Sequence, residues 1–357
     1  MKTYIKFLVN LFFISFTKIF SIFFIIIIIT NILEQAESFK EADFNIFYLI
    51  FLSLLNAPSI IFQILPFIFL ISTQVFFIQL IDKNELGIFK YSGLNNYKII
   101  QIIGIFSFIL SLIFVIFFYN ISSVLKNSYL VIKNKYADDD KYLAIITENG
   151  LWIKDQINQE VNIINANKID NEFLLKVFIT QFDKDYELIR TIQSDKIDIS
   201  SYNWKILNPI VSKNNTISEP NEVEFRSNFD QKKINSLFSN LSSLTIMQLF
   251  KLKENYKSLN NSVVEINSHL YQIFAYPLYL TLITIFSAII MFNIGYQKNS
   301  LINIIFGIFL SVIIYYINYF FKILGTSEKI PLILSILLPL IILSIINVAS
   351  IIKINEK

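Results

Sequence analysis

The chain has 357 residues, 54% of them hydrophobic and 16% charged, and its mean hydropathy of +0.57 excludes an ordinary water-soluble domain. Basic residues number 30 and acidic residues 27, a formal charge of +3, so there is no global polybasic bias toward nucleic acid. The absence of cysteine excludes disulfide frameworks, thiolate metal sites and cysteine nucleophiles, and one histidine, His269, is too few for a histidine-built centre.

The opening stretch MKTYIKFLVNLFFISFTKIFSIFFIIIIITNILE starts basic, like a secretory signal, but has no small-x-small cleavage site and stays apolar too long. A retained anchor is expected. A spanning helix needs about 20 predominantly apolar residues, and six segments approach that: 18–35, 47–81, 99–123, 270–296, 301–323 and 331–352. Ahead of the first, Ile5, Phe7, Leu8, Leu11, Phe12 and Phe16 beside Lys2 and Lys6 predict an interfacial helix over 3–16. Pro58 and Pro66 should kink the long second segment or end a surface-lying entry piece.

Between the second and third segments lies the polar island DKNELGIFKYSGLNNYK, 82–98. Asp82 stands three residues before Glu85, the spacing of a capping box, and Gly93 suits the left-handed position that closes a helix. A short separate helix over about 82–93 is expected, with Leu86, Phe89 and Gly93 on one face and Leu94 and Lys90 beside it. Two readings stand side by side. Either Glu85 caps and the apolar face lies on lipid, or the helix fits a groove on a cytoplasmic partner.

From 126 to 265 the chain changes character. The stretches YLAIIT, LWIKDQ, VNIINA, EFLLKVFITQF, YELIRTI and NWKIL are rich in β-branched and aromatic residues and are separated by Asn, Asp, Ser and Gly. They predict a β-sandwich or jelly-roll domain, with Trp152 and Trp204 packed in its core. The pattern turns helical over about 232–262. Asp138, Asp139 and Asp140 match no calcium-loop spacing and read as a solvated turn. His269, where the chain re-enters the apolar region, reads as a satisfied interfacial residue.

Lysine placement sets the expected orientation. With a cytoplasmic N-terminus that side receives Lys2, Lys6, Lys18, Lys83, Lys90, Lys98, Lys298, Lys353 and Lys357, while the opposite short loops are mostly acidic. Both termini are then cytoplasmic and the β domain faces outward. No phosphate loop, dinucleotide turn, H-E-x-x-H or G-x-S-x-G motif occurs. Any ATP must be bound by another chain. The spans hold almost no ionisable residues away from their ends, Lys322 lying near one, which argues against an ion-coupled pathway.

NELGIFKYSGLNNYKI resembles the E-L-x-x-x-[RK]-x-x-G-[VL]-S segment of the LptF/LptG lipopolysaccharide-export permeases. ENGLWIKD (148–155) is similar to that family's W-x-[KR]-[DE] strand, and NWKILNP (203–209) to its later W-x-L strand. LGTSEKIPLILSILLP (324–339) resembles the LG-x-x-G-x-[LI]-P-P-x-L-A-x-W-x-P signature, with Glu328 at the second Gly. Trp152 and the C-terminal signature resemble LptG more than LptF. The resemblance implies a six-span membrane α-helical bundle with one inserted periplasmic β-jelly-roll domain. Its parts are an N-terminal half (1–125), the β domain (126–265) and a C-terminal half (266–357).

What it implies for function is a permease subunit of an ATP-driven lipid extractor in the bacterial inner membrane. A paralogous LptF-type permease would complete the cavity, an LptB-type ATPase dimer would use ATP and Mg below, and LptC/LptA-type jelly-roll proteins would continue the path. This chain would bind no cofactor and catalyse nothing. Glu85, Leu86, Phe89, Lys90 and Gly93 become the expected ATPase-coupling residues, and the first and fifth spans the lateral gate. The family's basic residues at the outer end of the first span are represented only by Lys40, in TNILEQAESFK. The rival readings are an FtsX/MacB-like permease, whose outer domain usually follows the first span, and a non-transporting membrane scaffold or sensor.

Overall fold

The computed structural model describes residues 3–38, 45–136, 142–147, 150–157, 160–170, 172–213, 216–231, 234, 241–258, 262–293 and 300–355. Lys40, the Asp138–Asp140 run and Lys298 fall outside them. The chain forms two compact units. One comprises Met1–Gln35, Ile46–Lys126 and Asn267–Lys357, and the other Ala36–Asn45 and Asn127–Ile266.

The first unit is helical. Its elements are α1 (Thr3–Ser38), α2 (Ile46–Asp82), the short α3 (Glu85–Tyr91) and α4 (Asn96–Ile113). A π-helical turn, Phe114–Phe118, joins α4 to α5 (Tyr119–Tyr136), which runs on into the second unit. After the second unit come α7 (Val264–Asn293), α8 (Ser300–Thr326) and α9 (Leu332–Asn355). Among the described residues, six helical stretches are long and apolar enough to cross a membrane, α4, the π turn and α5 counting as one. A helix is one of the two backbone forms that can satisfy their hydrogen bonds within the hydrocarbon region.

Residues 3–16 do not form a separate interfacial piece, because α1 is continuous from Thr3. Leu8, Phe12 and Phe16 repeat every four residues and are buried in the bundle core with Ile61, Phe69, Phe76 and Ile103. A helical apolar stripe beside lysines serves a protein core as well as a membrane surface, and here the core takes it. Phe12 meets Phe76 and Phe106 edge-on at 5.8 and 5.9 Å between centroids, geometry that aromatic quadrupoles favour. Both Pro58 and Pro66 are accommodated inside α2.

Two glycines mark close helix approaches within this unit. A Cβ at Gly307 of α8 would overlap the Gln74 side chain of α2, its amide carbon lying at 2.8 Å. One at Gly325 would fall on Ser335 of α9, with Ser335 Cβ at 2.6 Å.

The second unit is built on a nine-stranded antiparallel sheet: β1 (Tyr142–Thr147), β2 (Gly150–Ile157), β3 (Glu160–Asp170), β4 (Phe173–Phe182), β5 (Leu188–Asp198), β6 (Asn203–Leu207), β7 (Ile210–Lys213), β8 (Thr216–Ser218) and β9 (Glu222–Arg226). The path runs β1-β2-β3-β4-β5-β6-β9, and the β7–β8 hairpin pairs with β5. β5 thus forks, its first half on β7 (Ile192 opposite Val211) and its second on β6 (Ile197 opposite Ile206). Leu151 and Ile153 of β2 share one buried cluster with Trp204 of β6 and Phe225 of β9, near the other end of the path, so the sheet curls round its core. Alternation sets the faces: Ile153, Ile164, Ile179 and Ile192 point in, while the register partners Trp152, Asn165, Phe178 and Gln193 point out. Trp152 is therefore 41% exposed, a correction to its expected core role, whereas Trp204 is fully buried. After the sheet, α6 (Ile246–Ser258) supplies helix in the region expected to be helical.

Candidate functional site

The polar island between the second and third spans resolves into a seven-residue helix, α3, held by three consecutive turn devices. α2 runs through Asp82, so Asp82 is not a cap, and the expected capping box with Glu85 is replaced. The N-cap is Asn84, in the left-handed region at φ 54°, with no side-chain cap bond. Asparagine tolerates that conformation better than most residues. At the other end Gly93 has φ +84°, Gly93 N–H donates to Lys90 O at 3.1 Å and Leu94 N–H to Phe89 O at 2.9 Å. This is the paired closure of a Schellman motif. Asn95 then caps α4, its Oδ1 accepting from Lys98 N at 3.1 Å.

This frame sorts the side chains into two faces. Leu86 and Leu94 are buried and Phe89 packs beside them, its ring 5.9 Å from that of Phe7. They fasten α3 to the bundle. Lys90 is exposed, as are Ile88 (63%) and Tyr91 (96%). Glu85 is half-buried, and its Oε2 is shielded from solvent without a hydrogen bond. The residues expected to share a contact face are thus split, and the outward apolar pair, Ile88 and Tyr91, was not singled out. It follows from the same i, i+3 rule once Leu86 and Phe89 are assigned inward.

The other motifs also acquire physical roles. Asp155, in the LWIKD strand, is fully buried and accepts from Ser227 Oγ at 2.8 Å, Asn228 N at 2.9 Å and Asn228 Nδ2 at 2.8 Å. Trp204, in NWKIL, donates from Nε1 to Phe229 O at 2.7 Å. Both strands therefore clasp Ser227–Phe229, the segment just after β9, and so fix the curl of the sheet. In LGTSEKIP, Gly325 provides the close approach to Ser335, and Glu328 sits at φ 57°. There Glu328 N–H donates to Gly325 O and Lys329 N–H to Leu324 O, each at 3.1 Å, a second Schellman closure with glutamate in the glycine-favouring place.

His269 Nε2 lies 3.0 Å from Tyr119 Oη, a satisfied side chain. Of ENGLWIKD, Glu148 and Asn149 lie outside the described residues.

Curated proteins give no match to this chain. The sequence model of the lipopolysaccharide export system permease LptF/LptG matches residues 6–353, nearly the whole chain, with no distinction between the two permeases. Six apolar helices, an inserted antiparallel β unit and that match together make this a multi-pass inner-membrane protein of the LptF/LptG permease family.

Proposed function

We propose that this chain is one permease half of an ATP-driven transporter that lifts lipopolysaccharide, or a related glycolipid, out of the inner membrane. A separate LptB-type ATPase dimer docks on α3, a paralogous permease completes the cavity, and LptC/LptA-type proteins extend the β unit by strand addition. Both termini are cytoplasmic and the β unit is periplasmic. The lysine distribution supports that orientation. The resemblance of Trp152 and LGTSEKIP favours the LptG-like position, and Lys40, the basic residue of TNILEQAESFK, is assigned to lipid phosphate by its sequence position after the first span alone.

The observation that carries this reading is α3 itself: a rigidly bracketed helix, between two spans, that presents Ile88, Lys90 and Tyr91 outward. The unbonded Glu85 Oε2 supports it as well, since a shielded carboxylate oxygen costs free energy until a donor reaches it. Affinity purification of the detergent-solubilised chain should bring down an ABC ATPase and a second permease. Glu85→Ala should weaken ATPase recovery while membrane insertion stays normal. Undiminished recovery and transport in that variant would remove Glu85 from the coupling.

A further inference from the structure

Three spans depart from the regular α-helical ladder at one level of the bundle. In the third, the π turn Phe114–Phe118 is closed by Tyr119 N–H donating to Phe114 O, five residues back. Such turns insert an extra residue and recur at functional places in helices. In the fourth, Pro277 of α7 has no amide proton for the carbonyl of Ile273. In the second, Pro66 of α2 likewise leaves the carbonyl of Phe62 without its helical donor.

Contacts between these places put them at the same height. Ser111, just ahead of the π turn, has Oγ 2.8 Å from Phe108 O and 3.3 Å from Pro277 O. The freed Phe62 carbonyl accepts from Tyr276 Oη at 2.5 Å, so the residue before Pro277 serves the gap made by Pro66. Phe69, one turn past Pro66, lies 6.5 Å from Phe114.

On one side of this level the three spans are bound to one another. The ring of Phe62 sits 5.1 Å from Tyr119 and 4.8 Å from Tyr276, and Tyr119 pairs with His269. On the other side, Ile99, Ile100 and Ile103 of α4 are locked into the core with Phe76, Phe77 and Leu80 of α2. Two well-knit bodies are thus joined by three weakened helix turns and spanned by the unbroken α1, whose Asn31 Oδ1 accepts from Asn56 Nδ2 at 3.1 Å on the one side and whose Phe12 meets Phe76 on the other. The third and fourth spans are also the ones that lead the chain into and out of the β unit.

We propose that Pro66, the π turn Phe114–Phe118 and Pro277 form one hinge, about which Ile46–Phe62, Tyr119–Lys126 and Asn267–Tyr276 swing as a single tied body. In the transport cycle this hinge carries displacement from the α3 end of the bundle toward the β unit, a role that rests on the permease reading above. The hinge itself does not depend on that reading.

The natural absence of cysteine allows spin labels at Ile121→Cys and Ile333→Cys, both exposed, on this chain alone before it is assembled with its partners, so that no other thiol carries a label. Dipolar spectroscopy is then run on the complex purified with its partners, in lipid nanodiscs, with and without ATP plus vanadate. The parent should give a broad distance distribution that shifts with nucleotide by on the order of 5 Å, the scale of such rearrangements. Pro277→Ala, and separately Pro66→Ala, should narrow the distribution roughly twofold and remove the shift, because each restores a helical hydrogen bond. Tyr276→Phe, which unties the body without altering the backbone, should broaden it. Equal widths and equal shifts in the parent and both proline variants overturn the hinge. A narrowing in the proline variants with no nucleotide response in any chain supports the hinge and counts against ATP-driven coupling.

Discussion

Single residues explain several motif positions. Asp155 concentrates three hydrogen bonds on one buried carboxylate, so its loss removes the acceptor of Ser227 Oγ and of Asn228 N and leaves Asn228 Nδ2 only its 3.3 Å bond to Gln156 O, at the place where the sheet closes. Hydrogen bonds to a charged group contribute about 1.5–3 kcal/mol each and are not additive. We expect Asp155→Ala to cost roughly 3 kcal/mol, read as a lowered thermal midpoint together with faster amide exchange across 222–229. Protection unchanged there would show that the clasp does not hold the sheet. Glu328 presents the opposite case, a non-glycine residue held at φ 57°. Left-handed backbone costs an L-residue about 1–2 kcal/mol, whereas glycine gives up part of that gain as lost chain freedom. Glu328→Gly should therefore raise stability by about 0.5–1 kcal/mol, and thermal denaturation in detergent checks the sign.

At the scale of elements, the spans and strands were legible because each rests on a local rule: long apolar runs for helices, two-residue alternation for β2 to β6. Less legible was whatever depended on a distant partner. The stripe of Leu8, Phe12 and Phe16 fixes a helix face but not what covers it, so burial in the bundle could not be told from burial in a membrane surface. Alternation around Trp152 fixes two faces but not which is inward; the inward set is decided by the curl of the sheet. The Asp82 to Glu85 spacing satisfied a capping rule, yet α2 persisted through Asp82 and Asn84 took the turn. The π turn has no sequence signature in FVIFF, and only the packed structure reveals it. For α3 the element was foreseen and its two faces were not. Because Tyr91 is 96% exposed, Tyr91→Ala should leave stability within about 0.5 kcal/mol of the parent. The same change should lower ATPase recovery roughly tenfold if the ring is an anchoring contact. Full recovery would move the docking surface elsewhere on the helix.

At the scale of the whole molecule, the order of parts separates this chain from permeases whose outer domain follows the first span: here the β unit lies between the third and fourth. Single cysteines placed at Ser201 and Tyr91, both exposed, make the orientation measurable with an impermeant maleimide. We expect position 201 to label in cells with a permeable outer membrane and position 91 only after the inner membrane is opened. The reverse pattern would invert the assignment of both termini. The turn between α3 and α4 bears on how the molecule moves. Gly93 and Leu94 close one helix and Asn95 immediately starts the next, so no flexible spacer separates them. α3 consequently passes into α4 through two adjoining caps. We expect a load placed on Tyr91 to reach the third span through these two caps, with no unstructured residue to absorb it.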